Sequence, residues 1–291
     1  MVEKTAGLAA DVIVLDLEDS VPPTEKGRAR ETARQQIPRL AAAGQTVHVR
    51  VNPIASGLTR YDLAAVVCPE LAAVLLPKVE KAQDIRDFDV LIREQELSNG
   101  VKPGAIGLVP LIETALGVLN CWEICRASTR VVGLAFGAED YTSDLGARRS
   151  REGRELDYAR QVIVTCAAGA QTGARPGAGL IALDTPYADF RDEEGLVRET
   201  EWARSLGFRG KYLIHPSQIE PVNRIFRPTE EEVTQAQRVV AALEEALARG
   251  QAAVQVDGGM VDEPVAARAR RLIDLAKAIE EREGRHPSGR V

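Results

Sequence analysis

Three carboxylates stand within four residues at the end of the first apolar run of the chain. The run "DVIVLDLEDS", residues 11–20, is rich in Val, Ile and Leu and ends in Asp16, Glu18 and Asp19. Like charges at this spacing raise one another's pKa unless a positive group neutralises them. A metal ion, a Lys or Arg partner, or solvent could each supply that compensation.

Two further carboxylates, Glu113 and Asp140, end later apolar runs and are separated by about one strand–helix repeat. Mg²⁺ is typically bound by one or two carboxylates, with water and substrate oxygens completing its octahedron. The pair therefore predicts a magnesium site. The alternative is that either carboxylate caps the helix that follows it, which is common at such turns.

Two basic residues end other runs. Arg50 in "VHVRVN" could hold a substrate carboxylate through two parallel hydrogen bonds. It could equally form a salt bridge to the carboxylates at 16–19, and the two roles are compatible. Lys78 in "LLPKVE" could do either job. His215 in "LIHPSQI" is more often a structural hydrogen-bonding group than a catalytic one.

These residues are positioned by alternating strands and helices. Short runs rich in Val, Ile and Leu predict strands at 11–17, 46–52, 73–79, 105–113, 131–137, 179–184 and 211–215. Segments rich in Ala, Arg and Glu predict helices at 24–43, 80–98, 114–129, 154–173 and 193–207. Such alternation indicates α/β architecture with parallel strands buried on both faces.

The polar residues share one position, the C-terminal end of each apolar run. In a TIM (β/α)8-type barrel these ends converge on the face that carries the active site. No GxGxxG or GxxxxGK[ST] follows the first predicted strand, which argues against a nucleotide-binding sheet. We therefore predict a barrel, with an open doubly wound sheet as the alternative.

The pattern changes after residue 228, so we predict a barrel over 1–228 and an extension over 229–291. Residues 229–249 predict an amphipathic helix that begins at the N-cap Thr229 with acidic residues in its first turn. The following "DGG" predicts a tight hairpin. A second helix begins with Pro264 in its first turn.

Composition narrows the class of protein. The 291 residues carry a net charge of −6, which argues against nucleic-acid binding by bulk charge. No apolar stretch approaches the ~18 residues of a membrane span, and no signal-peptide pattern opens the chain. The 4 Cys include no CxxC pair and predict reduced thiols in a cytoplasmic protein, while 3 His make a histidine-based zinc site unfavourable.

Ordered motifs from about residue 8 to about residue 275 resemble the citrate lyase β-subunit-like family, to which malyl-CoA and citramalyl-CoA lyases are related. They are "VIVLDLEDSVPPTEKGRAR", "VRVNP", "LPKVE", "LIETALG", "LAFGAEDYTSDLG", "LDTPYADFRDEEGL", "GFRGKYLIHPSQI" and "GGMVDEPVAARARRLI". The resemblance implies a TIM barrel, typically in a homotrimer. It also implies use of Mg²⁺ to make or break the bond between an acyl thioester enolate and a 2-oxoacid.

The resemblance assigns roles to four of the strand-end residues. Glu113 of "LIET" and Asp140 of "GAED" would bind Mg²⁺ and, through it, substrate. Arg50 of "VRVN" would bind the 2-oxoacid carboxylate and orient it for reaction, and Lys78 would also contact substrate.

Two further motifs surround these groups. The carboxylates Asp16, Glu18 and Asp19 of "DLED" would accept hydrogen bonds from metal-bound waters. Asp262 of "MVDEP" resembles a catalytic acid/base residue that reaches over from a neighbouring subunit, so residues 251–282 are expected to form a lid. Family members usually begin with an extra strand. Here Met1 falls inside what resembles the first helix, so we expect a barrel lacking that strand.

The expected reaction is the cleavage or formation of a 3-hydroxy-3-carboxyacyl or malyl/citramalyl-type thioester. The expected partners are acyl-CoA or acyl carrier protein, and oxaloacetate, pyruvate or glyoxylate. The alternative is a citrate lyase β subunit that converts citryl-acyl carrier protein to oxaloacetate and acetyl-acyl carrier protein. A non-catalytic oxoacid-binding homologue is less favoured because Arg50, Glu113, Asp140 and Asp262 are all present.

Overall fold

A computed structural model describes residues 7–170 and 179–285 of the chain. The chain divides into two compact units, one ending at Val222 and the other beginning at Asn223. No helix in the described ranges combines the length and the apolar character needed to cross a membrane.

The first unit is built on a parallel sheet in which each strand pairs with the strand before it in sequence. Its strands in residues 7–170 and 179–285 are β1 Val12–Asp16, β2 Thr46–Arg50, β3 Ala73–Leu76, β4 Gly107–Ile112, β5 Gly133–Phe136 and β6 Ile181–Leu183. The sheet curls into part of a TIM-like barrel. This confirms the predicted α/β barrel class, and it places six of the seven predicted runs in strands.

Register places the predicted site residues Asp16 and Arg50 on the concave face of this sheet. Asp16 pairs with Arg50, Arg50 with Leu75, and Leu75 with Val109. Paired residues on neighbouring strands point to the same face of a sheet, so Asp16 and Arg50 share a face with apolar side chains. We call the apolar group on this face the interior cluster: Ala73, Leu75, Val109, Leu111 and Ala135, against which Val14, Val132 and Tyr212 pack.

Within the described part of the first unit, these strands are connected or followed by the helices α1 Lys26–Ala42, α2 Thr59–Val66, α3 Ala82–Ser98, α4 Ala115–Leu119, α5 Cys121–Cys125, α6 Ala138–Asp144, α7 Asp157–Gly169 and α8 Glu193–Leu206. The prediction of one helix over 114–129 is wrong, because Asn120 interrupts it and donates a side-chain hydrogen bond to the Glu80 carbonyl at 2.8 Å. Of the helix predicted over 154–173, residues 171–173 lie outside the described ranges.

The prediction of a strand over 211–215 is wrong. Only Lys211 forms a bridge, to Asp184, and the Tyr212 N–H donates to the Asp184 carbonyl at 3.0 Å. The run then ends quickly, because His215 caps a short 3₁₀ helix that starts at Pro216. The segment therefore continues the sheet edge by a single bridge.

The helix α9 Ile219–Phe226 was not predicted, and its residues belong partly to each unit. The second unit then contains the elements expected beyond the barrel, which are α10 Glu230–Ala248, β7 Val254–Val256, β8 Gly259–Val261 and α11 Glu263–Arg285. Thr229 caps α10 as predicted, accepting from the Glu232 N–H at 3.1 Å. The predicted hairpin is also present. Asp257 and Gly258 occupy its turn with φ of 48° and 83°, as a type I′ turn requires. Val239, Leu243, Val261 and Ala266 form the core of this unit.

Candidate active site

A cavity of about 610 Å³ opens at the C-terminal ends of β3 and β4, next to the first turn of α6. Its wall includes the predicted site residues Lys78, Glu113 and Asp140, together with Glu80. Asp16, Glu18 and Arg50 lie at the ends of the adjacent strands β1 and β2. We call these six charged residues the strand-end cluster: Asp16, Glu18, Arg50, Lys78, Glu113 and Asp140.

Glu113 is a buried acid at the end of β4, only 2% exposed. Its Oε1 accepts a hydrogen bond from the Lys78 N–H at 2.7 Å. A Cβ atom at position 137 would collide with this carboxylate, so Gly137 makes room for it. Burial, and next the negative charge of Asp140, raises the pKa of Glu113 to about 8.

Asp140 lies in the first turn of α6, three residues beyond the apolar run that predicted it. The Ala138 N–H of the same turn donates to Thr185 Oγ1 at 3.1 Å, which joins α6 to the segment after β6. The helix N-terminus favours a negative charge here. A divalent cation in this cavity would offset the burial and the Asp140 charge that disfavour the ionised form of Glu113.

Among the described residues, no three His, Cys, Asp or Glu side chains come together as a ready-made metal cluster. Mg²⁺ does not need one, because it keeps several waters and takes one or two carboxylates. Glu113 and Asp140 therefore suit Mg²⁺ better than a metal that requires a closed set of protein ligands.

Arg50 donates two parallel hydrogen bonds to Asp16, from Nε to Oδ1 at 2.8 Å and from Nη2 to Oδ2 at 2.6 Å. Burial disfavours both charges. The paired partner outweighs burial in each case, so the pKa of Asp16 is lowered and that of Arg50 is raised. The salt bridge considered from the sequence is thus present. It engages two of the five guanidinium donors, and the others remain for a ligand or for Glu18.

Glu18 lies close to two positively charged side chains, but both of its carboxylate oxygens are still able to accept hydrogen bonds. Arg50 Nη1 lies 2.9 Å from Oε2, and Lys78 Nζ lies 3.3 Å from Oε1. Neither contact has hydrogen-bond geometry, and both buried oxygens lack a hydrogen-bond partner in the described chain. Burial raises the pKa of Glu18 despite the charge of Arg50, and exposed Asp19 adds to the rise.

Lys78 has a left-handed backbone, with φ of 54°. A residue with a side chain in this region costs on the order of 1 kcal/mol or more and often marks a functional site. The conformation presents the Lys78 N–H to Glu113 and its ammonium group to Glu18. Burial lowers the pKa of Lys78, but the charge of Glu18 outweighs it and the pKa is raised.

Lys26 and Asn52, which the sequence did not single out for a role, hold the loops that carry this cluster. Lys26 Nζ donates to the Leu17 carbonyl at 2.7 Å, to the Glu18 carbonyl at 2.9 Å and to Asn52 Oδ1 at 2.8 Å. Asn52 Nδ2 in turn donates to buried Asp62 at 2.7 Å. Lys26 lies within the first motif of the family resemblance, and this position could have indicated that it has a role.

Two further polar residues of the first unit, His215 and Arg149, have local partners. His215 Nδ1 contacts Ser217 Oγ at 2.8 Å, and its ring stacks on Phe190. This arrangement agrees with a structural histidine. Arg149 pairs with Glu139 and Glu155 at 3.0 Å each.

Asp262 lies in the second unit, between β8 and α11. Its Oδ1 accepts from the Val265 N–H at 3.3 Å, as a helix cap does. The capping role weighed from the sequence is therefore seen, and a catalytic role for Asp262 stays a prediction.

A second group of charges surrounds the end of β6, and we call it the closed ionic centre: Arg160, Asp184, Glu199 and Lys211. Asp184 is contacted by Arg160 Nε at 2.9 Å and by Lys211 Nζ at 2.7 Å. Lys211 also lies 2.7 Å from Glu199. Sequence reasoning missed this centre. Arg160 could have indicated this centre, because it is a charged residue on the same buried side of α7 as Ala159 and Ile163.

The fold and the strand-end acids define the class of protein as a barrel enzyme with an acidic site. The family model described as HpcH/HpaI aldolase/citrate lyase matches residues 1–216. The chain therefore belongs to the HpcH/HpaI aldolase/citrate lyase family, as the motifs predicted, and it is a lyase of that family.

Named relatives cover most of the chain. The citrate lyase subunit beta of Leuconostoc mesenteroides subsp. cremoris is 41% identical over 94% of this chain and 89% of its own. The mitochondrial citramalyl-CoA lyase of Rattus norvegicus is 32% identical over 97% and 83%. Among solved structures, CitE of Mycobacterium tuberculosis, in complex with magnesium, acetoacetate and coenzyme A, has a TM-score of 0.71 at 31% identity, covering 92% of this chain and 91% of its own.

Proposed function

We propose that the protein is a Mg²⁺-dependent carbon–carbon lyase acting on a 3-hydroxy-3-carboxyacyl or malyl/citramalyl-type thioester, with an acyl thioester and a 2-oxoacid as products. The observation that carries the proposal is the pair Glu113 and Asp140 in one cavity, with the pKa of Glu113 raised by burial and by Asp140. The relatives named as lyases, and the solved relative with magnesium, acetoacetate and coenzyme A, support it.

In this proposal, the site residues have different roles in binding the metal and the substrate. Glu113 and Asp140 would hold Mg²⁺, which when bound supplies Lewis-acid polarisation of the oxygen at the reacting carbon. Arg50 binds the substrate carboxylate through its remaining donors. Asp16, Glu18 and Asp19 accept hydrogen bonds from waters in the site, and Lys78 adds positive charge near the substrate.

Cleavage requires one proton to leave the substrate hydroxyl and one to reach the acyl carbon. As the hydroxyl loses its proton, the carbon–carbon bond breaks and its electron pair moves to the acyl fragment, which is then protonated to the acyl thioester. We assign the proton transfer to Asp262. In this proposal the segment 251–282 is a lid that delivers Asp262 to a neighbouring subunit of a homotrimer and excludes water.

A second candidate is the β subunit of a citrate lyase, which uses a citryl group on an acyl carrier protein. The relative from Leuconostoc favours this candidate. A non-catalytic protein that binds 2-oxoacids is the third and least favoured. For all three candidates we propose a cytoplasmic protein with a thioester or oxoacid partner, and none requires nucleic acid or a membrane.

The test is a turnover screen. Acyl-CoAs and acyl carrier protein thioesters are paired with glyoxylate, pyruvate and oxaloacetate, with and without Mg²⁺. We expect turnover that requires Mg²⁺ and that is lost in Asp140→Asn. The control Glu80→Gln, in the same cavity wall, should retain it. Turnover that persists after chelation, or in Asp140→Asn, would contradict the proposal.

The same assay tests Asp262. Asp262→Asn should lose turnover while retaining oxoacid binding, and mixing it with Arg50→Ala should restore part of the activity if subunits share the site. Full activity in Asp262→Asn alone would limit Asp262 to its observed capping contact.

A further inference from the structure

Tyr212 has a buried hydroxyl group that forms no hydrogen bond with the described residues around it. The phenolic oxygen is inaccessible to solvent and has no hydrogen-bond partner in the described parts of the chain. Burying a hydroxyl without a hydrogen-bond partner is unfavourable in free energy. A bound molecule that pairs with it would remove this cost.

The backbone fixes the direction of the Tyr212 ring. The preceding residue, Lys211, is anchored in the closed ionic centre by contacts of 2.7 Å to Asp184 and to Glu199. The Tyr212 N–H donates to the Asp184 carbonyl at 3.0 Å and continues the sheet edge. Successive side chains of an extended chain point to opposite faces, so anchoring Lys211 on one side turns Tyr212 to the other.

That other side is the concave face that carries Arg50. The Tyr212 ring packs against the interior cluster, and Leu75 of this cluster is the register partner of Arg50. The charge of Arg50 acts on the hydroxyl and lowers its pKa, but burial raises the pKa of Tyr212 more. The phenol is therefore protonated at neutral pH and able to donate.

Arg50 alone leaves part of a bound carboxylate unpaired. Its Nε and Nη2 already bond to Asp16, and its Nη1 is turned towards Glu18. A carboxylate has about four acceptor positions. A further donor on the same face would complete its hydrogen bonds.

We propose that the Tyr212 hydroxyl donates a hydrogen bond to the 2-oxoacid carboxylate held by Arg50, and that Tyr212 is a substrate-binding residue of the lyase site. This rests on the proposed function, because it requires a 2-oxoacid at Arg50.

Tyr212→Phe is the test, since it keeps the ring and removes a single oxygen. Pyruvate and oxaloacetate are titrated calorimetrically into the protein in the presence of Mg²⁺. A hydrogen bond to a charged group is worth enough to weaken binding about ten- to a hundredfold when it is lost. The melting temperature should stay the same or rise, because a buried unpaired hydroxyl is removed.

Tyr187→Phe is the matched control. Its hydroxyl lies 2.8 Å from the Asp192 carboxylate, and its loss should leave oxoacid affinity unchanged. Equal affinities of the parent and of Tyr212→Phe, or the same loss in both variants, would overturn the assignment of Tyr212 while leaving the lyase proposal intact. If the parent itself binds no 2-oxoacid with Mg²⁺, the proposed function fails and the Tyr212 assignment fails with it.

Discussion

Two groups of charges at strand ends differ in their balance. In the closed ionic centre, two carboxylates face two cations across contacts of 2.7–3.3 Å, and Arg160, Asp184 and the Lys211 side chain are fully buried. In the strand-end cluster, four carboxylates face only Arg50 and Lys78, and part of the cluster lines a cavity. A buried cluster with balanced charge needs no further ion to neutralise it, whereas a surplus of negative charge beside a cavity is suited to bind a cation.

The pKa shifts of two acids in the barrel unit reflect this difference in charge balance. The pKa of Asp184 is lowered because Lys211 and Arg160 outweigh burial. The pKa of Glu113 is raised to about 8 because burial and Asp140 act in the same direction. Two buried strand-end acids thus have opposite shifts, and the difference comes from their neighbours.

The largest expected effect is on stability, in the closed ionic centre. Asp184→Asn removes one charge and leaves Arg160 and Lys211 with only Glu199. Breaking a buried ion pair costs about 3–5 kcal/mol of unfolding free energy, which denaturant titration will measure. The matched change Asp140→Asn in the strand-end cluster should leave stability unchanged or improve it. Equal destabilisation by both variants would remove the distinction between the two groups.

A smaller effect is expected from Arg50→Lys. The charge is kept, but the two parallel bonds to Asp16 and the planar fork for a substrate carboxylate are lost. We expect 2-oxoacid binding to weaken by about tenfold or more, which corresponds to about 1.4 kcal/mol. A variant that binds pyruvate as well as the parent does would return Arg50 to a purely structural role.

A third expected effect is a pH dependence of stability in the absence of divalent metal. Folding raises the pKa of Glu113 from 4.5 to about 8, so the folded chain keeps a proton that the unfolded chain releases in this interval. The free energy of unfolding should therefore fall as pH rises from 4.5 to about 8 and should level off above it. Glu113→Gln should flatten this part of the profile. An unchanged slope in that variant would assign the dependence to another group.

Much of the fold could be predicted from apolar runs. Six runs became paired strands because each is long and rich in branched residues, and each is followed by a helix that covers it. The seventh run failed because Lys211 is committed to buried ion pairs and Pro216 follows closely. A pattern of hydrophobicity does not report such long-range partners.

The site shows the same limit. The acids at positions 16, 18, 113 and 140 were visible as polar residues at the ends of apolar runs. The salt bridge from Arg50 to Asp16 was among the alternatives considered from the sequence. The roles of Lys78 and Lys26 were not visible, since the left-handed backbone of Lys78 and the three contacts of Lys26 depend on the folded chain. Tyr212 was invisible for a different reason, because an aromatic residue in an apolar run is typical of a core.

The central claim is that Glu113 and Asp140 form a magnesium site. Calorimetric titration of Mg²⁺ into the parent, Glu113→Gln, Asp140→Asn and the control Glu80→Gln tests it most directly. Removing a hard anionic ligand should weaken Mg²⁺ binding by at least about ten- to a hundredfold. We expect this loss in Glu113→Gln and Asp140→Asn and parental affinity in Glu80→Gln. Parental Mg²⁺ affinity in Glu113→Gln, or the same loss in all three variants, would contradict it.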